Sequence, residues 1–227
     1  MPRYVFLVLA VLLAGGAAGT AWVASLKPEP RGFYPKEPSH DFGEVDQGAI
    51  LHHRFDFVNR LGEPLTIKNI IPSCGCSTGE WKHGTLAPGE IGSLEADWKV
   101  GGMRGPSKVI VTLVAERPNR EQVATRATMT AMVRPDIEYS PPSLEFSSAG
   151  KQRISFAPGV MREFKLIGAA CGHRAFAAKV CPDAPHEVEV AFDPSVWDRD
   201  LDKTDLRVET TSPNEAVCRI QLLVRKQ

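Results

Sequence analysis

The sequence predicts an all-β protein: two β-sandwich domains in tandem behind an N-terminal hydrophobic helix. Three observations predict this. Short runs that alternate apolar and polar residues with period two fill both halves of the chain, as strands with one face in a core do. The 19 Gly and 18 Pro fall between those runs, which is the punctuation of strands and turns rather than of long helices. An uncharged stretch from Tyr4 to Leu26, flanked by Arg3 and Lys27, precedes them all.

That stretch defines residues 1–26. As a helix rising about 1.5 Å per residue it is long enough to cross a hydrocarbon core of about 30 Å. It also reads as a cleaved signal peptide, with Val5–Ala14 as its apolar centre and small residues from Gly15 to Ala21 offering cleavage points. Both readings export the rest of the chain, anchored to a membrane or released from it. Residues 27–39 carry Pro28, Pro30, Pro35 and Pro38. Proline fixes φ and removes a donor, so an extended spacer is expected there.

The first domain is expected over residues 40–134. In Leu51–Val58 the side chains of Leu51, Phe55 and Phe57 share one face, and Arg54 and Asp56 the other. Leu65–Ile71 is rich in β-branched residues. Leu94, Ala96 and Trp98 alternate with Glu95 and Asp97; Val109, Val111, Leu113 and Ala115 form the next inward row. Val123, Ala127, Met129, Ala131 and Val133 form the last. Turn signals such as Ala87-Pro88-Gly89-Glu90 and Gly101-Gly102 separate the runs. Arg134-Pro135 reads as the joint. The second domain, residues 136–227, is expected to place strands at Ser143–Phe146, Gln152–Phe156, Glu163–Ile167, Phe176–Val180, Glu187–Phe192, Asp205–Thr210 and Val217–Val224.

Composition narrows the function classes. Lys plus Arg and Asp plus Glu both number 27, for a formal net charge of zero. A nucleic-acid binder gains its affinity by neutralising phosphates with basic residues, and no such excess exists here. The chain has no G-x-S-x-G elbow, phosphate-binding glycine loop, dinucleotide fingerprint or H-E-x-x-H. No enzymatic activity and no cofactor are expected.

Residues 40 to about 133 resemble a bacterial family known as domain of unknown function 1573. The resemblance rests on His40-Asp41-Phe42-Gly43-Glu44-Val45, Phe55-Asp56-Phe57-Val58-Asn59, Glu63-Pro64-Leu65-Thr66-Ile67, Ser73-Cys74-Gly75-Cys76 and Ala87-Pro88-Gly89-Glu90, in that order. Asn59-Arg60-Leu61-Gly62 departs from the shorter Asn-X-Gly turn usual in the family. The second half resembles a companion domain, including Thr210-Thr211-Ser212-Pro213. The resemblance implies immunoglobulin-like modules related to those of major sperm protein, in an extracytoplasmic setting. It implies no reaction.

The candidate chemistry lies in five cysteines. Cys74 and Cys76 stand at i and i+2, about 6.6 Å apart between Cα atoms in an extended strand, near the upper limit for a disulfide. Gly75 between them could shorten that span. Three readings stand: a tight disulfide in an oxidising compartment, a thiolate pair for a soft metal with His83 as a further ligand, or two half-buried residues that lock a turn. His52 and His53 fit no standard ligand spacing. Cys171 and Cys181 flank a short strand, where a bridge would clip a hairpin. Cys218 shares a face with Ile220, Leu222 and Val224 and reads as a core residue. Asp198, Asp200, Asp202 and Asp205 lack the glycine and terminal Glu of a calcium loop and read as a solvated charged loop. Two functions are thus expected to compete. One is an exported, non-catalytic binding or structural module with a protein or cell-envelope partner. The other is an extracytoplasmic thiol-redox or soft-metal protein using Cys74 and Cys76.

Overall fold

The structure, a computed structural model, describes residues 31–198 and 201–225. The expected N-terminal helix lies outside the described residues. Among those residues no helix is long and apolar enough to cross a membrane.

Strands run through the chain in the order β1 Phe33–Pro35, β2 Ser39–Asp46, β3 Ile50–Asn59, β4 Leu65–Pro72, β5 Ser77–Trp81, β6 Thr85–Leu86, β7 Ile91–Lys99, β8 Gly105–Glu116 and β9 Gln122–Arg134. There follow β10 Ile137–Ser140, β11 Ser143–Phe146, β12 Gly150–Pro158, β13 Leu166–Cys171, β14 Phe176–Cys181, β15 Ala184–Phe192, β16 Lys203–Thr210 and β17 Val217–Val224. They form four sheets, ordered β1-β3-β7-β5, β2-β9-β8-β4-β6, β10-β12-β15-β14 and β11-β17-β16-β13.

The alternating rows dictate how these sheets pack. Phe55, Phe57, Leu94, Ala96 and Trp98 from the first sheet meet Val109, Val111, Leu113, Ala127, Met129 and Ala131 from the second, all within one core. Each of these is at most 4% exposed. Ile154, Phe156, Val188 and Val190 from the third sheet meet Leu206, Val208, Cys218, Ile220 and Leu222 from the fourth in a separate core. Two sheets packed face to face over an alternating core make a β-sandwich of immunoglobulin-like type, and the chain builds that arrangement twice.

The repetition extends to topology. Replacing β1, β2, β3, β4, β5, β7, β8 and β9 by β10, β11, β12, β13, β14, β15, β16 and β17 converts the first two sheet orders into the last two, with β6 the one addition. Even the parallel pairing of β2 with β9 reappears as β11 with β17; the other strand pairs are antiparallel.

The sequence-predicted spacer ends sooner than Ser39. Phe33 is buried against Phe57, 5.6 Å between ring centroids, and this draws Phe33–Pro35 into register with Asn59–Phe57. Pro35 is admissible there because β1 is an edge strand, whose outer side needs no donor. The strand expected at Glu163–Ile167 begins instead at Leu166, where a bulge lies between Leu166 and Gly168.

The joint between β9 and β10, at Pro135, is polar and well satisfied. The buried Gln47 side chain donates to Met103 O at 3.1 Å and accepts from the Asp136 backbone N–H at 2.8 Å. The Asp136 carboxylate accepts from Ser212 Oγ at 2.6 Å and Asn214 Nδ2 at 3.1 Å. Gly48, at φ +87°, lets Asn214 approach so closely that a Cβ would lie 2.2 Å from its Oδ1. Arg104 reaches across with both Nε and Nη2 to the Glu215 carboxylate, at 2.8 and 2.9 Å. The same guanidinium also donates to Ile137 O and lies 4.2 Å above the Tyr139 ring.

Candidate functional site

Cys74 and Cys76 sit at a corner where the chain leaves the second sheet at β4 and enters the first at β5. They are joined as a disulfide with Cα atoms 5.2 Å apart, shorter than an extended i, i+2 span. Both are half-buried and pack on the first core. Gly75 is not at positive φ and a Cβ there would meet nothing within 4 Å, so the bend does not draw on the freedom of glycine. It is held by backbone hydrogen bonds: Ser73 N–H to Ile110 O at 2.8 Å, Ser77 N–H to Cys74 O at 3.4 Å and Lys99 N–H to Cys76 O at 2.8 Å.

The same corner recurs between β13 and β14. Gly172 N–H donates to Asp205 O at 2.8 Å, Phe176 N–H to His173 O at 3.0 Å and Asp193 N–H to Ala175 O at 2.8 Å. Cys74 and Cys76 are matched there by His173 and Ala175, with no sulfur.

The remaining cysteines are free. Cys171 and Cys181 do not clip a hairpin, because β13 and β14 lie in different sheets. Burial, helped by the Asp205 carboxylate, pushes the Cys171 thiol up to about 11. Burial pushes Cys218, fully enclosed in the second core, up to about 12. Thiols so disfavoured as thiolates are poor nucleophiles and poor ligands.

His83 stacks edge-on beside Trp81, 5.4 Å between centroids. With Cys74 and Cys76 it makes no metal-holding group among the described residues, since both sulfurs are spent on each other. Of the acidic quartet, Asp200 lies outside the described residues. Asp205 is engaged by Arg207 Nε at 2.8 Å, and that hydrogen bond holds its carboxyl below the usual range.

A cluster that sequence spacing does not reveal lies at the lip of the first sandwich. The chain crosses from sheet to sheet between β1 and β2, and Glu37 rides on that crossover. His40 points inward from β2, and His53 continues the inward row of Leu51, Phe55 and Phe57 on β3. Their imidazoles stack, 3.7 Å between centroids and 13° between planes. Glu37 Oε1 is 3.4 Å from His40 Nδ1, and Glu37 Oε2 is 3.6 Å from His53 Nε2. His53 Nε2 is shut off from solvent and has no hydrogen-bond partner. Desolvation, and then the neighbouring His40, lower the His53 pKa. The signal was present in the alternation: position 53 belongs to the buried face of its strand. His52, one residue on, faces outward and pairs with Asp97 at 2.6 Å.

At the joint a groove of about 660 Å³ is lined by residues that include Arg104, Met132, Arg134, Pro135, Glu138 and Val160. Met132 is 45% and Val160 37% exposed.

These features define an all-β protein of immunoglobulin-like β-sandwich type with a disulfide at one sheet-to-sheet corner. Residues 33–132 match the family described as "Protein of unknown function (DUF1573)", whose boundary takes in β1. No curated protein matches the chain in sequence. Among solved structures, a protein of unknown function from Porphyromonas gingivalis W83 is 13% identical, with 86% of this chain and 96% of that one covered at a TM-score of 0.32. The YadV chaperone is 8% identical over 84% and 99% of the two chains, at 0.36. The PapD-like domain 7 of human CEP192 is 10% identical over 48% and 92%, at 0.37.

Proposed function

We propose that the protein is an exported, non-catalytic binding module of the cell envelope, built from two immunoglobulin-like domains, residues 40–134 extended back to Phe33 and residues 136–227. The Cys74–Cys76 disulfide carries this reading. Such bonds persist in oxidising compartments, and the uncharged stretch Tyr4–Leu26 supplies a route there, as an anchor or as a cleaved signal. The groove at the joint, part apolar and part charged, suits a protein partner more than a small substrate. A reporter fused after Gln227 that works only outside the cytoplasm is expected to be active, and deletion of residues 4–26 to silence it. Activity restricted to a cytoplasmic reporter would overturn the proposal. Proximity labelling from the same fusion would identify the partner.

The second reading, a thiol-redox protein, is favoured by one observation: the corner at β13–β14 forms without sulfur. Replacing Cys74 and Cys76 by Ser separates the two. Chain-entropy arithmetic for so short a loop gives about 1.6 kcal/mol, a fall in Tm of roughly 3–6 °C for a chain of this size. The binding-module reading expects that fall with the labelled partner unchanged. Loss of disulfide-exchange activity in the Ser variant, measured against a dithiol substrate, would establish the redox reading instead.

A further inference from the structure

We propose that Glu37, His40 and His53 form a binding site for a divalent transition cation of the zinc class. Around a tetrahedral ion held at about 2.0–2.2 Å, two ligand atoms stand about 3.3–3.6 Å apart. Glu37 Oε1 stands 3.4 Å from His40 Nδ1, and its Oε2 stands 3.6 Å from His53 Nε2. Each is long for a hydrogen bond and close to a single ligand–ligand spacing about such an ion. The three ligand atoms lie within 4.8 Å of one another. His53 Nε2 is enclosed and makes no hydrogen bond, with the nearest Glu37 oxygen 3.6 Å away, and a buried polar atom without a hydrogen bond is costly unless something else satisfies it. The fold does not require these residues. Counting back from the matched pairs Phe33↔Asn59 and Ile137↔Pro158, the position of His53 on β3 is taken on β12 by Gln152, which donates to Glu145 O. The residue after the first of β11 is Leu144, where β2 has His40. The second sandwich therefore closes its lip with a leucine and an amide.

Two imidazoles and one carboxylate suit zinc or copper better than calcium or magnesium. Three protein ligands leave a fourth position, open to water or to a donor from a partner. Bound metal would tie the β1–β2 crossover to β3 and turn the stacked rings until both nitrogens face one point.

The test is calorimetric titration of the tag-free, full-length chain in detergent micelles with zinc chloride. One ion per chain is expected, bound more weakly as the pH falls, because protons compete for the ligand nitrogens. Glu37→Gln and His40→Ala, both at partly exposed positions, are expected to weaken binding at least tenfold. His52→Ala, on the outer face, is expected to leave it unchanged. In the wild type, zinc is expected to shift the NMR signals of the His40 and His53 rings. Absence of stoichiometric binding, binding that survives both ligand substitutions, or unshifted ring signals would each overturn the site.

Discussion

Arg104→Ala is expected to destabilise the protein by about 3 kcal/mol, measured as a fall in the urea midpoint at unchanged slope. Glu215 is 6% exposed at its side chain and meets Arg104 through two parallel hydrogen bonds. Truncating Arg104 leaves a carboxylate enclosed without its counter-charge, the case that costs about 3–5 kcal/mol. The lower end applies because the Arg104 side chain is 25% exposed, so water can reach the vacated space. Loss of the bond to Ile137 O and of the contact over Tyr139 works in the same direction. The reverse truncation, Glu215→Ala, should cost less, about 1–2 kcal/mol, since the stranded guanidinium is the better solvated of the two and an unmet group costs in proportion to its burial. Replacing both, Arg104→Met with Glu215→Leu, should recover most of the loss. Equal costs for the two single truncations would contradict this account of the joint.

Trp98→Ala is expected to cost about 3–5 kcal/mol, as full truncation of a buried aromatic does. Trp98 is 0% exposed, among the largest side chains of the first core. It lies opposite Leu51 on one neighbouring strand and Ser77 on the other. Trp98→Phe should cost much less. The smaller ring leaves a cavity, but the change also removes an indole N–H that is buried without a partner, and burying an unmet donor carries its own penalty. Chemical denaturation of both variants checks the ranking. A Phe variant as unstable as the Ala variant would show that the indole N–H is satisfied in solution.

Much of the fold was legible because period-two alternation and burial have one cause. Val109, Val111, Leu113 and Ala115 read as an inward row, and each is at most 1% exposed. Ser143–Phe146 and Val217–Val224 have the bounds their patterns predict. Strand β2 escaped because a register shift between Asp41 and Glu44 breaks its alternation; the others that escaped, β1, β5, β6 and β10, have two to five residues each. A run that short lacks the repeats needed to show a period, and its place is decided by what it packs against. The candidate cation site escaped for a different reason. Glu37, His40 and His53 are brought together by a change of sheet and by a strand pairing, neither of which leaves a fixed spacing in the chain. The cysteine corner stood out only because its members are close in sequence.

The repeated corner bears on the order of events as the chain matures. At β13–β14 three backbone hydrogen bonds shape the bend, and His173 and Ala175 occupy it without any covalent tie. At β4–β5 the matching three bonds hold the same bend. Folding is therefore expected to bring the sulfur atoms of Cys74 and Cys76 face to face before oxidation joins them. Reduction of that bond is expected to leave the hydrogen bonds intact. The chain therefore carries its own unbridged control, and on that comparison the bridge is expected to act as a seal applied after folding.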